Sequence, residues 1–233
     1  MIKASPSWME LLLKAPLNKE DTDTLIDGHP FIIKGGIARS KKLVLESQNQ
    51  TKETFSYKWK KLDTFNSQSS LKRMRKWLIE RYGDISNSQW LKEHGDNPLL
   101  LDAGCGAGMS ALELFKPIIN NLRYLGVDVS DSVDVANQRF LEEGLHCGFM
   151  QCDLGDLPLH ENTIDLIFSE GVLHHTNSTE KSLKYLAKLL KTGGRFLFYV
   201  YKKKGPVREF TDDYIRDKIQ EMKPDEAWKA LEP

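Results

Sequence analysis

Three aspartates in the middle of the chain each stand where a short apolar run stops. Asp102 follows Leu99-Leu100-Leu101, Asp128 closes the run Asn121–Val127, and Asp153 follows Phe149-Met150-Gln151-Cys152. Between the first two lies Gly104-Cys105-Gly106-Ala107-Gly108, with glycines at alternate positions, followed by Met109–Phe115, which reads as a helix start. A carboxylate offers acceptors only, so it suits a ligand that presents hydroxyl or amino donors. Glycines allow positive φ and let a ligand approach where a Cβ would clash, and a helix N-terminus offers free N–H groups to a polar ligand. Asp128 lies 20 residues beyond Gly108, the spacing at which an acid meets a ribose diol. A lone Gly-x-Gly-x-Gly run leaves an ordinary strand-to-helix turn open; the two further acid-tipped strands favour a nucleotide-like ligand.

The elements that must position these residues follow from hydrophobic period. Leu99–Leu101, Leu122–Val127 and Phe149–Cys152 are short apolar runs of the kind buried on both faces of a parallel sheet. Thr163–Ser169 supplies a fourth strand and Arg195–Tyr201 a fifth, after the turn Thr192-Gly193-Gly194. Helices are expected over Leu71–Tyr82, Ser86–His94, Ser132–Glu143, Ser178–Lys191, Val207–Met222 and Asp225–Leu231. Alternating strands and helices predict an α/β fold, a doubly wound, mostly parallel sheet with helices on both faces. A small irregular N-terminal segment precedes it.

Asp102-Ala103-Gly104-Cys105-Gly106-Ala107-Gly108, Asp128, Asp153-Leu154 and Gly193-Gly194-Arg195-Phe196, in this order, resemble a class I S-adenosylmethionine-dependent methyltransferase from about Pro98 to Tyr201. A nicotinamide-binding domain would place its third glycine three residues after the second, not two, and needs no aspartate two residues before the first. The resemblance implies S-adenosyl-L-methionine as cofactor and a role for each residue. Backbone groups of Ala103, Gly104 and Gly106 would hold the methionine end, with Cys105 and Gly108 in the same loop, and Asp102 near its ammonium. Asp128 would accept the ribose hydroxyls beside Val129, and Asp153 the adenine amino group, with the Leu154 N–H nearby. Ser169 opens the loop after the fourth strand, whose end faces the methyl-transfer side. His174 or His175 in that loop could remove a proton from an acceptor oxygen or nitrogen, His175 being preferred; a packing or loop-holding role is the alternative.

Lys+Arg and Asp+Glu are balanced at 33 each, so composition gives no pull toward nucleic acid or an anionic membrane. Three cysteines, Cys105, Cys147 and Cys152, make neither a disulfide framework nor a four-cysteine zinc site, and no metal is expected. No apolar run reaches the length of a membrane span, and the cytoplasm is the default location.

Residues 1–50 are read as an N-terminal segment with a hairpin, Thr24–Ile26 facing Phe31–Ile33. The run Asp27–Arg39 faintly resembles the end of the zinc ribbons that precede some methyltransferases, but no cysteine precedes Cys105. Residues 51–97 are read as a lid and leading helices, with Phe55, Tyr57 and Trp59 as lid candidates or simple packing residues. Residues 98–205 are the cofactor-binding core and 206–233 a helical C-terminal piece. Tyr201 and Lys202–Lys204 could meet an acidic acceptor, or be solvated. The family adds two strands after the fifth, for which no candidate remains. Either the chain is C-terminally incomplete, the favoured reading, or the N-terminal strands fill that place. Incompleteness would leave one sheet flank uncovered and open to self-association. The resulting expectation is methyl transfer to an O or N atom of a small-molecule or precursor acceptor. An RNA- or protein-modifying methyltransferase, or a cofactor-binding module inactive in truncated form, stays open.

Overall fold

A computed structural model describes residues 5–17, 20–42, 56–57, 67–202 and 205–231. The chain divides into two compact units, Met1–Val200 and Tyr201–Pro233. Phe55, Trp59, Lys203 and Lys204 lie outside the described residues.

The first unit is built on one eight-stranded sheet of order β1-β2-β3-β6-β5-β4-β7-β8. Its strands are β1 (Thr22–Ile26), β2 (His29–Lys34), β3 (Ile37–Ser40), β4 (Leu99–Ala103), β5 (Arg123–Asp128), β6 (Gly148–Gln151), β7 (Ile164–Glu170) and β8 (Leu190–Tyr199). From β3 to β8 every neighbouring pair is parallel. The helices are α1 (Ser7–Leu13), α2 (Gln68–Tyr82), the short α3 (Gln89–Lys92), α4 (Met109–Phe115), α5 (Ser132–Glu142) and α6 (Thr179–Leu189).

Central β4 is buried along its whole length, and period-2 alternation divides its side chains between the two faces. Leu99, Leu101 and Ala103 join a layer with Met9 and Leu13 of α1 and Leu186 and Leu189 of α6. Leu100 joins the opposite layer, with Leu78 of α2, Leu112 and Phe115 of α4, and Phe140 of α5. Helix α6 forms where Ser178 caps it, its side chain accepting from Lys181 N at 3.3 Å, and where Ser182, Leu186 and Leu189 make one buried stripe. The doubly wound α/β expectation holds.

The N-terminal segment departs from the expected irregular appendage. The predicted hairpin is present, with Thr24 opposite Phe31. A third strand, unanticipated because Ile37–Ser40 is short and follows two glycines, pairs antiparallel with β2 and parallel with β6, Ala38 opposite Met150. Residues 22–40 thus extend the main sheet, and Ile26, Phe31, Ile33 and Ala38 are part of its core. They do so beside β6, at the edge opposite β8, so they do not take the place of strands expected after the fifth.

β8 also begins earlier than predicted. Ile164 pairs with Leu190, but Leu166 pairs with Arg195. The turn through Gly193, at φ 82°, is therefore a bulge inside the strand rather than its start.

The second unit contains α7 (Pro206–Ile219) and α8 (Pro224–Ala230), each with proline in its first turn. No residue of α7 is buried. No helix among the described residues is long and apolar enough to cross a membrane.

Candidate functional site

The chain leaves β4 in one direction, toward β5, while β7 lies on β4's other side. The order reverses there, and in open α/β sheets ligands bind outside the carboxyl ends of the strands at such a point. Ser169 Oγ of β7 donates to Ala103 O at 2.8 Å across this gap. Ser169 is fully buried, and its side chain joins the ends of the two strands.

After Ala103 the backbone turns sharply. Gly104 N and Cys105 N both donate to Val127 O, at 2.8 and 2.9 Å, which folds the loop against the end of β5. Gly104 sits at φ 84°, and a Cβ there would lie 2.3 Å from Val172 Cγ1. Gly108 sits at φ 74° as the residue preceding α4, and a Cβ there would lie 2.7 Å from Phe140 Cε2. Both glycines are required by conformation and by space. Cys105 is buried, and burial pushes its thiol well above the usual range, so it is a small inert residue of the loop.

Asp128, at the end of β5, organises the same loop. Its Oδ2 accepts from Gly106 N at 2.9 Å; its Oδ1 accepts from Ser130 N at 2.9 Å and Ser130 Oγ at 2.6 Å. A carboxylate has about four acceptor positions; Gly106 N, Ser130 N and Ser130 Oγ take three, and the Val129 backbone N–H also bears on it. A ligand hydroxyl can be taken when Ser130 Oγ turns away, and Ser132 Oγ, 2.7 Å from it, is a ready alternative partner for that hydroxyl. Burial raises the Asp128 pKa, while Ser130 and the Gly106 N–H hold it down.

Asp102 is 3% exposed and turned into the aromatic layer, where its Oδ2 accepts from Tyr124 Oη at 2.6 Å. Tyr124 packs on Phe140 and Phe149 at centroid distances of 4.6 and 5.7 Å. Burial pushes the Asp102 carboxyl up to about 7; Tyr124 opposes the rise, and Asp128 and Glu170 add repulsion. The folded-state pKa is above the ordinary 3.8, so the stability from this group is present at low pH and is lost as pH rises from about 4 to about 7. A cationic ligand group beside Asp102 reverses this by favouring the ionised form. Affinity for an ammonium-bearing ligand is therefore expected to rise, by up to about tenfold per unit, as pH climbs toward 7. Tyr124→Phe should move that rise to higher pH, as titration calorimetry from pH 5.5 to 8.5 would show.

Asp153 lies two residues beyond β6. Its Oδ1 accepts from Gly155 N at 2.7 Å, capping its own turn, and buried Leu154 follows it. The three acids and the glycine loop thus share one rim, as the sequence predicts. Ser56 Oγ accepts from Asp131 N at 3.3 Å, bringing one described residue of the expected lid to that rim.

The loop after β7 passes over Gly104 through Val172 and forms one tight turn, Leu173–His175. The rings of His174 and His175 lie 4.1 Å apart. Both ring nitrogens of His174 are buried, and burial, then His175, pulls its pKa down to about 4. His175 is exposed. The two therefore differ in kind: one neutral and inward, one open.

A cluster not anticipated from sequence stands beside them. Glu170 accepts from Arg81 Nη1 and from Tyr82 Oη of α2. Arg81 also lies 4.1 Å from the Trp77 ring centroid and 3.6 Å from that of Tyr199. This anchors α2 to the strand ends at the site. Spacing carries no sign of it, because Glu170 and Arg81 are 89 residues apart. Tyr124 was likewise readable only as an apolar strand residue; Ser130 could have been found from the Asp-x-Ser turn pattern.

No cluster of potential metal ligands is present among the described residues. Residues 101–198 match the family described as "Methyltransferase domain". "Probable tRNA methyltransferase 9B" of Bos taurus is 29% identical over 139 residues, 55% of this chain and 28% of that protein. "Uncharacterized methyltransferase YcgJ" of Bacillus subtilis (strain 168) is 34% identical over 100 residues, 42% of this chain and 38% of that protein. Geranyl diphosphate C-methyltransferase from Streptomyces coelicolor A3(2), solved with S-adenosyl-L-homocysteine, gives a TM-score of 0.51 at 17% identity, covering 74% of this chain and 73% of that one. At that identity the shared property is the fold. The chain spans between 24% and 45% of the length of curated relatives it matches.

Proposed function

We propose that the chain, whose residues 101–198 match the methyltransferase-domain family, is a class I S-adenosylmethionine-dependent methyltransferase that transfers a methyl group to an oxygen or nitrogen of a small-molecule or precursor acceptor. S-adenosylmethionine is its cofactor; when bound, it supplies a methyl on a positively charged sulfur, already activated for transfer. The observation that carries the reading is the cradle: a loop whose Gly104 has no room for a Cβ, tied by Gly106 N to the Asp128 carboxylate at the end of β5. Asp128 would hold the ribose and Asp102 would face the ammonium. Asp153 and the Leu154 N–H would read the adenine, and the backbone of Ala103, Gly104 and Gly106 would hold the methionine end. Binding and alignment are the protein's main tasks here.

Of the two imidazoles, His175 is the proton acceptor in this proposal. A base with a pKa of about 4 gains little by taking a proton at neutral pH, which leaves His174 as the neutral packing neighbour. The balance of 33 cationic and 33 anionic side chains supports a small acceptor. The 29% identity to a protein named as a tRNA methyltransferase favours RNA as the second reading.

The test pairs calorimetric titration of S-adenosylhomocysteine and NAD with transfer of labelled methyl to pooled metabolites and, separately, to mixed RNA across a salt series. Binding of S-adenosylhomocysteine without NAD, and label in the metabolite pool, is expected. Submicromolar RNA retention at physiological salt together with labelled RNA overturns the acceptor class. If cofactor binds and neither pool is labelled, the chain acts as a binding module.

A further inference from the structure

We propose that Arg39, on the N-terminal ribbon, is a positioning residue that sets how sharply the cofactor's ribose is read; the inference rests on Asp128 taking that ribose. Arg39 lies on β3, which pairs with β6 through Arg39 opposite Gln151. Its Nη1 donates to Gln151 Oε1 at 2.8 Å, and its Nη2 to Asp134 Oδ1, in the first turn of α5, at 2.6 Å. The arginine is largely buried while Asp134 is half exposed. Nη1 also reaches Asp134 Oδ2 at 3.1 Å, so the carboxylate grips the guanidinium through two bonds and holds it in place to meet Gln151.

A glutamine amide can present either its oxygen or its nitrogen to a neighbour, and the neighbour's chemistry decides which. Arg39 has five donors and no acceptor, so the amide must turn Oε1 toward it. Nε2 is then delivered to the other side, where it donates to Asp131 Oδ1 at 2.9 Å and to Val129 O at 3.3 Å. Those two residues flank Ser130 in the turn between β5 and α5, directly after Asp128. Gln151 is also opposite Asp128 in the β5–β6 register, and Cys152 N donates to Asp128 O at 3.0 Å. Arg39 thereby fixes the polarity of one amide, and that amide fixes the turn whose first residue is the ribose carboxylate. Without the guanidinium Oε1 loses its donor, only the two contacts of Nε2 with Val129 O and Asp131 Oδ1 still hold the amide, and the turn is fastened to β6 less firmly.

The experiment uses the full chain and the variants R39M, R39K and Q151E, with calorimetric binding of S-adenosylhomocysteine and of its 2′-deoxyribose analogue. The ratio of the two dissociation constants reads ribose discrimination, which a general loss of stability does not change. R39M is expected to weaken S-adenosylhomocysteine at least fivefold while moving the deoxy analogue less than twofold, so the ratio narrows. R39K should keep the ratio, because an ammonium is also donor-only. Q151E, which still accepts from Arg39 but has no donor for Val129 O, should narrow it as R39M does. If R39M fails to fold, Q151E and R39K decide the matter. A ratio unchanged in R39M or Q151E, or narrowed equally in R39K, overturns the inference. Absence of S-adenosylhomocysteine binding by the unaltered chain overturns the underlying reading and the inference with it.

Discussion

Gly104→Ala is expected to abolish detectable S-adenosylhomocysteine binding and to destabilise the fold by about 2–5 kcal/mol. Two separate costs contribute. A left-handed residue with a side chain costs about 1–2 kcal/mol, and Gly104 stands at φ 84°. Forcing a methyl into filled space costs about 1–3 kcal/mol more, and the new Cβ would meet Val172 Cγ1, Cγ2 and Cβ at 2.3, 2.5 and 2.8 Å. Relief must come either from the β7–α6 loop or from the glycine loop itself, whose N–H groups at 104 and 105 are pinned to Val127 O. The double variant with Val172→Gly removes the steric part and leaves the strain. Urea denaturation should therefore show partial recovery of stability in the double variant. Unchanged ligand affinity in Gly104→Ala would refute the loop's role as the cradle.

Asp128→Ala should weaken S-adenosylhomocysteine between about tenfold and several hundredfold. One hydrogen bond to a charged acceptor is worth about 1.5–3 kcal/mol, and tenfold in affinity is about 1.4 kcal/mol. The carboxylate also gathers Gly106 N, Ser130 N and Ser130 Oγ, so its removal loosens the loop as well as the ligand. The core should survive, since Asp128 is a rim residue outside both apolar layers. Asp128→Asn separates the two losses: it keeps shape and one oxygen but offers N–H groups where Gly106 N needs an acceptor. Circular dichroism on both variants checks the fold, and an unchanged dissociation constant in Asp128→Ala would make the acid purely structural.

The central strands, their order along the chain and the acid-tipped rim were legible because each depends on local pattern. Leu99–Leu101 had to be buried, three glycines had to mark a turn, and Asp128 stood at a fixed distance from Gly108. The histidine pair was visible as residues but not as environments: only packing distinguishes the buried His174 ring from the open His175. Tyr124 beneath Asp102, the Arg81–Glu170 anchor and the Arg39–Gln151 contact were illegible for one reason. Each joins residues far apart in sequence through a pairing that no periodicity announces. Ile37–Ser40 was missed because a four-residue strand after Gly35-Gly36 earns its identity from β6.

The ribbon's attachment to β6 also orders events during synthesis. Arg39 leaves the ribosome 112 residues before Gln151, an interval on the order of ten seconds at ordinary elongation rates. Throughout it β1, β2 and β3 can form only a three-stranded meander, with one edge of β3 lacking its eventual neighbour. Such an edge invites pairing with another nascent chain. The β3 segment carries Arg39, and Lys41 and Lys42 follow it directly, charges that discourage that pairing while the edge waits. In the finished sheet the same cations have partners: Arg39 meets Gln151 and Asp134, Lys41 meets Asp23, and Lys42 meets Asp156. The residues that guard the strand before its neighbour is made are thus the ones that fasten it afterwards.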